Sequence, residues 1–280
     1  MASSARPSLR SIIGRRRRLR NSAPVAASVH PDAQPYAGGS GPTGVLLCHG
    51  FSGSTKSMIG WARRLEAEGF SVLLPRLPGH GTTWQELNRT AWTDWYASAD
   101  EAFATLRAQC DQVFLAGLSM GGALCLRLAE QYGPRVSGVT LVNPVINISD
   151  PRMRALPALR LLPSLGGIVN DIAKPGQDEW GYDRLPLRAL YSQTFLWADV
   201  RRNLHLVDQP LLVYRAIHDH VADPSSVRLI KAGVRSSDQT YVELQRSYHV
   251  ATLDYEAEDI FDGSIAFFRR LTKEADGTAE

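Results

Sequence analysis

Ser119 lies in the run Gly117-Leu118-Ser119-Met120-Gly121, between an apolar strand-like stretch, Val113 to Ala116, and a helix-like stretch, Ala123 to Tyr132. A serine hydroxyl is a poor nucleophile until a base takes its proton and a carboxylate orients that base. At a tight strand-to-helix turn such a serine is held in a strained backbone conformation, with its hydroxyl pushed out above the sheet edge. Strand and helix pass close together there, so the flanking residues must be small. Gly117, Gly121, Gly122 and Ala123 meet that requirement. The pattern predicts a nucleophile elbow rather than a plain Gly/Ser turn.

In a fold with this elbow, the acid and then the base follow the serine along the chain. The histidines downstream of Ser119 are His205, His218, His220 and His249. His249 is the best base, because it follows the last strand-like run at the carboxyl edge of a parallel sheet, where ligands bind. His218 and His220 come too early to follow the acid by one strand-helix unit, and His205 is earlier still. Asp219 directly follows the strand-like run Leu211 to Ile217 and is the best acid; Asp223 and Asp254 are its rivals. An oxyanion hole needs two backbone N–H donors, one from the residue after the nucleophile and one from the loop after the first core strand. Those are Met120 and, in His49-Gly50-Phe51-Ser52-Gly53, Phe51. His49 has no partner ligand in that loop and reads as a packed loop residue, so no metal site is expected. Pro78-Gly79-His80-Gly81 reads as a structural turn shaping the pocket floor.

These residues need a scaffold that brings strand ends together. Short continuous apolar runs (Val45 to Cys48, Phe70 to Leu74, Val113 to Ala116, Val136 to Val142) alternate with amphipathic helical runs (Met58 to Glu68, Asp94 to Gln109, Met120 to Tyr132). That alternation predicts an α/β fold with a mostly parallel sheet covered on both faces. It breaks from about 146 to 208, where leucine runs are punctuated by proline and no strand pattern is visible. It resumes with Leu211 to Tyr214, Ser225 to Ala232, Thr240 to Leu244 and Ile260 to Leu271. An insertion so late in the sheet reads as a small helical cap over the active site.

The chain has 280 residues, 44% hydrophobic and 21% charged, an ordinary globular composition. No apolar stretch reaches the roughly 20 residues a membrane helix needs. Three scattered cysteines fit a reducing, cytoplasmic setting. The net charge of +3 hides an asymmetry. Residues 1–20 contain seven arginines and no acid; taking those from the 31 Lys and Arg leaves 24 against 28 Asp and Glu. Residues 1–40 are expected to be a disordered basic tail, and 41–275 one α/β domain with the cap inserted. The tail is solvated, or the product of an upstream start codon read too early, or attracted to an anionic membrane surface; nucleic acid is not an expected partner.

Four stretches together resemble the α/β-hydrolase family of bacterial monoacylglycerol lipases and small carboxylesterases. They are His49 to Ser54, Leu74 to Thr82, Gly117 to Gly122 and Ser247-Tyr248-His249-Val250-Ala251-Thr252-Leu253-Asp254-Tyr255. The resemblance spans about residues 43–272 and leaves out the arginine-rich head. It implies the α/β-hydrolase fold, Ser119, Asp219 and His249 as the triad, Phe51 and Met120 as oxyanion donors, and no cofactor. It also implies a small lipid ester as substrate, a monoacylglycerol first. The segment Ile168 to Pro175 and the following Glu179 resemble the cap of the lipase branch, where a glutamate in this place contacts the glycerol. Glu179 and Ile168 are thus substrate-binding candidates. Alternatives are a broad carboxylesterase, a lysophospholipase or, in another class, a non-catalytic receptor on the same fold.

Overall fold

The computed structural model describes residues 27–167 and 169–277. The head's arginines and Ile168 lie outside the described residues. Nine strands are present among those described: β1 (Tyr36–Gly38), β2 (Thr43–Cys48), β3 (Ser71–Leu74), β4 (Gln112–Leu118), β5 (Gly138–Val142), β6 (Ser164–Gly166), β7 (Arg184–Pro186), β8 (Leu211–Ala216) and β9 (Gln239–Leu244). Eight helices accompany them: α1 (Ile59–Ala67), α2 (Trp84–Leu87), α3 (Trp92–Arg107), α4 (Met120–Tyr132), α5 (Leu156–Leu159), α6 (Leu187–Asn203), α7 (Ser225–Gly233) and α8 (Ala257–Gly277).

Seven strands form one sheet in the order β1-β3-β2-β4-β5-β8-β9. All neighbours are parallel except β1, which runs antiparallel to β3 at the edge. Every residue of β2, β3 and β5 is buried. Continuous apolar strands of this kind need cover on both faces, and successive side chains alternate between them. Leu46, Val113, Leu115 and Leu141 join one core, with Trp95 and Phe103 of α3 and Leu124 and Leu128 of α4. Val45, Leu47, Phe114 and Ala116 join the other, with Trp61 and Leu65 of α1 and Ile260, Phe261 and Phe268 of α8. The carboxyl ends of β2, β4, β5, β8 and β9 share one edge, and the site is built there.

Two findings revise the sequence-based boundaries. The expected disordered tail of residues 1–40 is too long. Tyr36↔Leu74 and Gly38↔Val72 pair in the sheet, and His30 stacks on Trp180 with ring centroids 4.0 Å apart while its N–H bonds to the Gly81 carbonyl. The insertion also contains strand: β6 and β7 pair antiparallel as a small separate ladder. Three-residue strands with Pro163 and Pro186 at their ends carry too little alternation to show a period. Among the described residues, no helix is long and apolar enough to cross a membrane.

Candidate active site

Ser119 leaves β4 with φ 55° and ψ −117°, a left-handed backbone that a non-glycine residue adopts only where the surroundings impose it. The imposition comes from its neighbours. A Cβ on Gly121 would lie 1.9 Å from the Cys48 carbonyl oxygen, and one on Gly117 would lie 2.5 Å from Gly121. Helix α4 therefore starts pressed against the ends of β2 and β4. The Ser119 N–H bonds to the Val142 carbonyl, and the Ser119 carbonyl accepts from Gly122 and Val145. Met120 is the first residue of α4, so its N–H has no acceptor inside the helix.

The structure brings Asp219 and His249 into contact. Nδ1 of His249 lies 2.7 Å from Oδ2 of Asp219, and both side chains are buried. The other carboxylate oxygen, Oδ1, accepts from the backbone N–H groups of Val221 at 2.8 Å and Ala222 at 2.7 Å. Burial alone would lower the His249 pKa. The Asp219 charge and hydrogen bond outweigh it, with Glu179 and Asp171 adding, so the ring sits above its ordinary value of 6.5. Asp223 lines the same cavity but does not meet the histidine: it accepts from the N–H groups of Ser149 and Ser225, each at 2.7 Å. Asp254 is elsewhere, accepting from Ala173, Lys174 and Tyr248 N–H.

Ser119, Asp219 and His249 open onto one cavity of about 770 Å³, which Gly50 and Phe51 also line. Its lining includes the apolar Met153, Leu156, Leu159, Leu165, Leu190 and Trp197 and the carboxylates of Asp150, Asp171, Glu179 and Asp223. Oε1 of Glu179 accepts from Asn170 N–H at 3.1 Å, and Glu179 N–H donates to the Asn170 side chain at 2.9 Å. Asn170 supports this reciprocal pair from a left-handed backbone, φ 55°. Burial raises the Glu179 pKa against the opposing pulls of that N–H and of His249.

His49 is a packed residue. Nδ1 bonds to the Gly50 carbonyl, Nε2 accepts from Leu77 N–H, and burial lowers its pKa to about 4. The turn at Pro78–Gly81 does not line the cavity. His80 packs edge-on against His49, Phe51 and Trp95, supporting the loop after β2. Among the described residues, no three His, Cys, Asp or Glu side chains are placed to hold a metal ion.

Sequence reasoning missed two residues. Asn143, φ 44°, donates its amide to the His249 carbonyl at 2.7 Å and accepts from Ala216 N–H at 2.7 Å. It thereby ties the ends of β5 and β8 to the histidine loop. A polar residue directly after a buried strand at the active edge was the available signal. Asp171 contacts the histidine loop from the insertion, and nothing in its sequence position announces it.

Residues 42–256 match the family described as "Serine aminopeptidase, S33". The thermostable monoacylglycerol lipase of Bacillus sp. (strain H-257) is 36% identical over 238 residues, 85% of this chain and 95% of that one. The carboxylesterase of Bacillus subtilis (strain 168) is 26% identical over 240 residues, 85% of this chain and 97% of that one. A solved structure from work on the metagenome-derived lipolytic enzymes LipS and LipT superposes with TM-score 0.83 at 36% identity, covering 87% of this chain and all of the other. The monoacylglycerol lipase of Paleococcus ferrophilus has TM-score 0.71 at 19% identity, covering 85% and 98%, a likeness of fold. The elbow, the parallel sheet and this kinship agree: the chain belongs to the α/β-hydrolase family of the bacterial monoacylglycerol lipases and small carboxylesterases and is a serine ester hydrolase.

Proposed function

We propose that the enzyme hydrolyses monoacylglycerol to fatty acid and glycerol through an acyl-enzyme. The observation that carries this reading is the cavity's lining, where Ser119 shares one space with leucines and Trp197 and with the carboxylates of Glu179 and Asp171. A substrate with one acyl chain and a small polyol fits both. The 36%-identical relative named a monoacylglycerol lipase supports it.

In this mechanism Ser119 Oγ attacks the ester carbonyl and His249 takes its proton. Asp219 holds the imidazole in the tautomer that leaves Nε2 free to accept, and stabilises the cation that forms. The N–H groups of Phe51 and Met120 stabilise the tetrahedral oxyanion. His249 then protonates the departing glycerol, and water releases the fatty acid by the reverse sequence. The acyl chain gains ~0.8 kcal/mol per CH₂ buried against the leucines. The glycerol hydroxyls donate to Glu179. No step calls for a metal or cofactor.

The enzyme acts in the cytoplasm with peripheral contact to anionic membrane, through its arginine-rich head. The cap supports such contact: Leu161, 78% exposed, stands with exposed Leu162 and Leu165 in a segment, residues 151–166, that holds three arginines and no acid. A chain shortened to start at Ala27 keeps β1 and the His30 contacts and loses the arginines. It is expected to lose affinity for anionic vesicles at low salt; equal binding by the full and shortened chains removes the head from this role.

The test of substrate class is a hydrolysis profile over monoacylglycerols, diacylglycerols, lysophospholipids and short aryl esters. Highest kcat/KM on monoacylglycerol is expected. A maximum on short esters makes it a broad carboxylesterase, and one on lysophospholipid a lysophospholipase. A chain that hydrolyses none of these and takes no fluorophosphonate label is a receptor.

A further inference from the structure

We propose that Asp171, on the inserted segment, is a positioning residue for His249, bracing the histidine loop through its main chain and adding a further carboxylate to the cavity that holds the imidazole. The proposal rests on the triad assigned above.

The geometry is a stitch. Oδ2 of Asp171 accepts the His249 N–H at 3.1 Å, and the Asp171 main-chain carbonyl accepts the Val250 N–H at 3.0 Å. The same Oδ2 accepts the His220 N–H at 3.1 Å, and Oδ1 lies 2.7 Å from His220 Nδ1. Asp171 therefore holds the loops that carry both Asp219 and His249. Just beyond it on the insertion, Ala173 and Lys174 are held from the other side by Asp254. Oδ2 of Asp254 is shared by Ala173 N–H at 2.7 Å and Tyr248 N–H at 2.9 Å, and its Oδ1 takes Lys174 N–H at 2.9 Å. The piece of the insertion around residues 171–174 is thus an anchor of the catalytic loop. The cap enters the site twice, once as a wall for the acyl chain and once as a support for the base.

The Asp171 side chain is 10% exposed and lines the catalytic cavity. Its charge acts across a poorly screened space. The other titratable groups around His249 are Asp219 on the loop after β8, Glu179 on the insertion, His220 against Asp171, and Asp254 behind Tyr248. Of these, Asp219, Glu179 and Asp171 favour the protonated ring. Removing one negative charge therefore makes His249 lose its proton at lower pH. His249 must be neutral to accept the Ser119 proton, so the acid limb of kcat/KM moves down the pH scale.

The experiment uses the full chain and a short aryl ester. Fluorophosphonate labelling of wild type, abolished by Ser119→Ala, is established first; if wild type does not label, the triad assignment itself fails. In a labelling enzyme, Asp171→Asn is isosteric and keeps an acceptor for the His249 N–H. Its acid limb is expected to move to lower pH by roughly half a unit, the size of one partly screened neighbouring charge. Asp171→Ala, which also loses the brace, is expected to lower kcat about tenfold or more with KM for the ester little changed and a cooperative melt retained. His220→Gln removes the imidazole and keeps the N–H, so the limb should stay in place. An unmoved limb in a folded Asp171→Asn overturns the proposal. So does a His220→Gln enzyme that reproduces the Asp171→Asn shift, because Asp171 would then act on His220.

Discussion

Replacing Asp219 by asparagine changes one oxygen for an NH₂, and the structure says which way that amide must face. Oδ1 of Asp219 accepts two backbone N–H bonds, from Val221 at 2.8 Å and Ala222 at 2.7 Å. Turning the NH₂ toward them would place donor against donor and leave two part-buried N–H groups unpaired, at up to about 1–3 kcal/mol each. The amide oxygen therefore stays there, and the NH₂ faces His249 Nδ1, where Oδ2 now sits 2.7 Å away. Nδ1 must then accept, the ring proton moves to Nε2, and the atom that should take the Ser119 proton is already occupied. The orientational preference of roughly 2–6 kcal/mol suppresses the productive tautomer by about 30-fold to 10⁴-fold. Loss of the charge that stabilises the imidazolium adds to this, so kcat/KM should fall on the order of 10⁴, about 5.4 kcal/mol of transition-state stabilisation. The assay is kcat/KM on a short aryl ester with the melting curve of the same preparation. Asp223→Asn is the control. Asp223 bonds Ser149 and Ser225 rather than the histidine, so that change should stay within about tenfold. An Asp219→Asn enzyme within tenfold of wild type, or an Asp223→Asn enzyme that is the more damaged of the two, refutes the reasoning.

Three further outcomes are expected. Ser119→Ala should abolish nearly all turnover without loss of the cooperative melt; residual activity within tenfold of wild type removes the nucleophile assignment. Glu179→Gln should lower kcat/KM for monoacylglycerol by roughly tenfold, one lost polar contact, while a short aryl ester changes little; parallel losses on both substrates would mean damage to the cap or triad instead. Glu130 of α4 is buried with both carboxylate oxygens unpartnered, and burial pushes its pKa up to about 9. The folded state then holds a proton that the unfolded state releases above about 4.5, so wild-type stability declines as pH rises from there toward 9. Glu130→Gln lacks that decline and should gain on wild type in denaturant melts between pH 5 and pH 8; a difference that does not grow with pH contradicts it.

The sheet was legible because its strands are buried on both faces and therefore read as uninterrupted apolar runs, as in Val45 to Cys48 and Val113 to Ala116. The elbow was legible for a steric reason: only glycine fits where a Cβ on residue 121 would meet the Cys48 carbonyl at 1.9 Å. Asp219 and His249 could be expected near each other because parallel strands deliver their carboxyl ends to one edge and each follows such an end by a few residues; the two side chains lie 2.7 Å apart. Strand β1 escaped because three residues, Tyr36 to Gly38, are too few for a pattern and border a Gly/Pro-rich stretch. Asn143 escaped because its role is spatial. A polar residue after a buried strand marks a place at the active edge but not its partners, which for this amide lie 73 and 106 residues away on β8 and the histidine loop.

The insertion separates what a sequence can say from what only packing can. Its leucines are apolar, so a pocket wall could be expected of them, and Met153, Leu156 and Leu159 do line the cavity. Its polar residues are another matter. Asp171, Glu179 and Asn170 occupy an irregular stretch where no period relates one position to the next. Asn170 and Glu179 bond each other, whereas the partners of Asp171 lie 49 and 78 residues away. Asp254 shows the same limit from the other side. By type and position it was a rival for the catalytic acid, yet its carboxylate is saturated by N–H donors of the insertion and its own loop. A carboxylate so occupied has no acceptor left for an imidazole. Asp219 keeps one oxygen for backbone donors and gives the other to His249, and that division of its two oxygens distinguishes an orienting acid from a structural one.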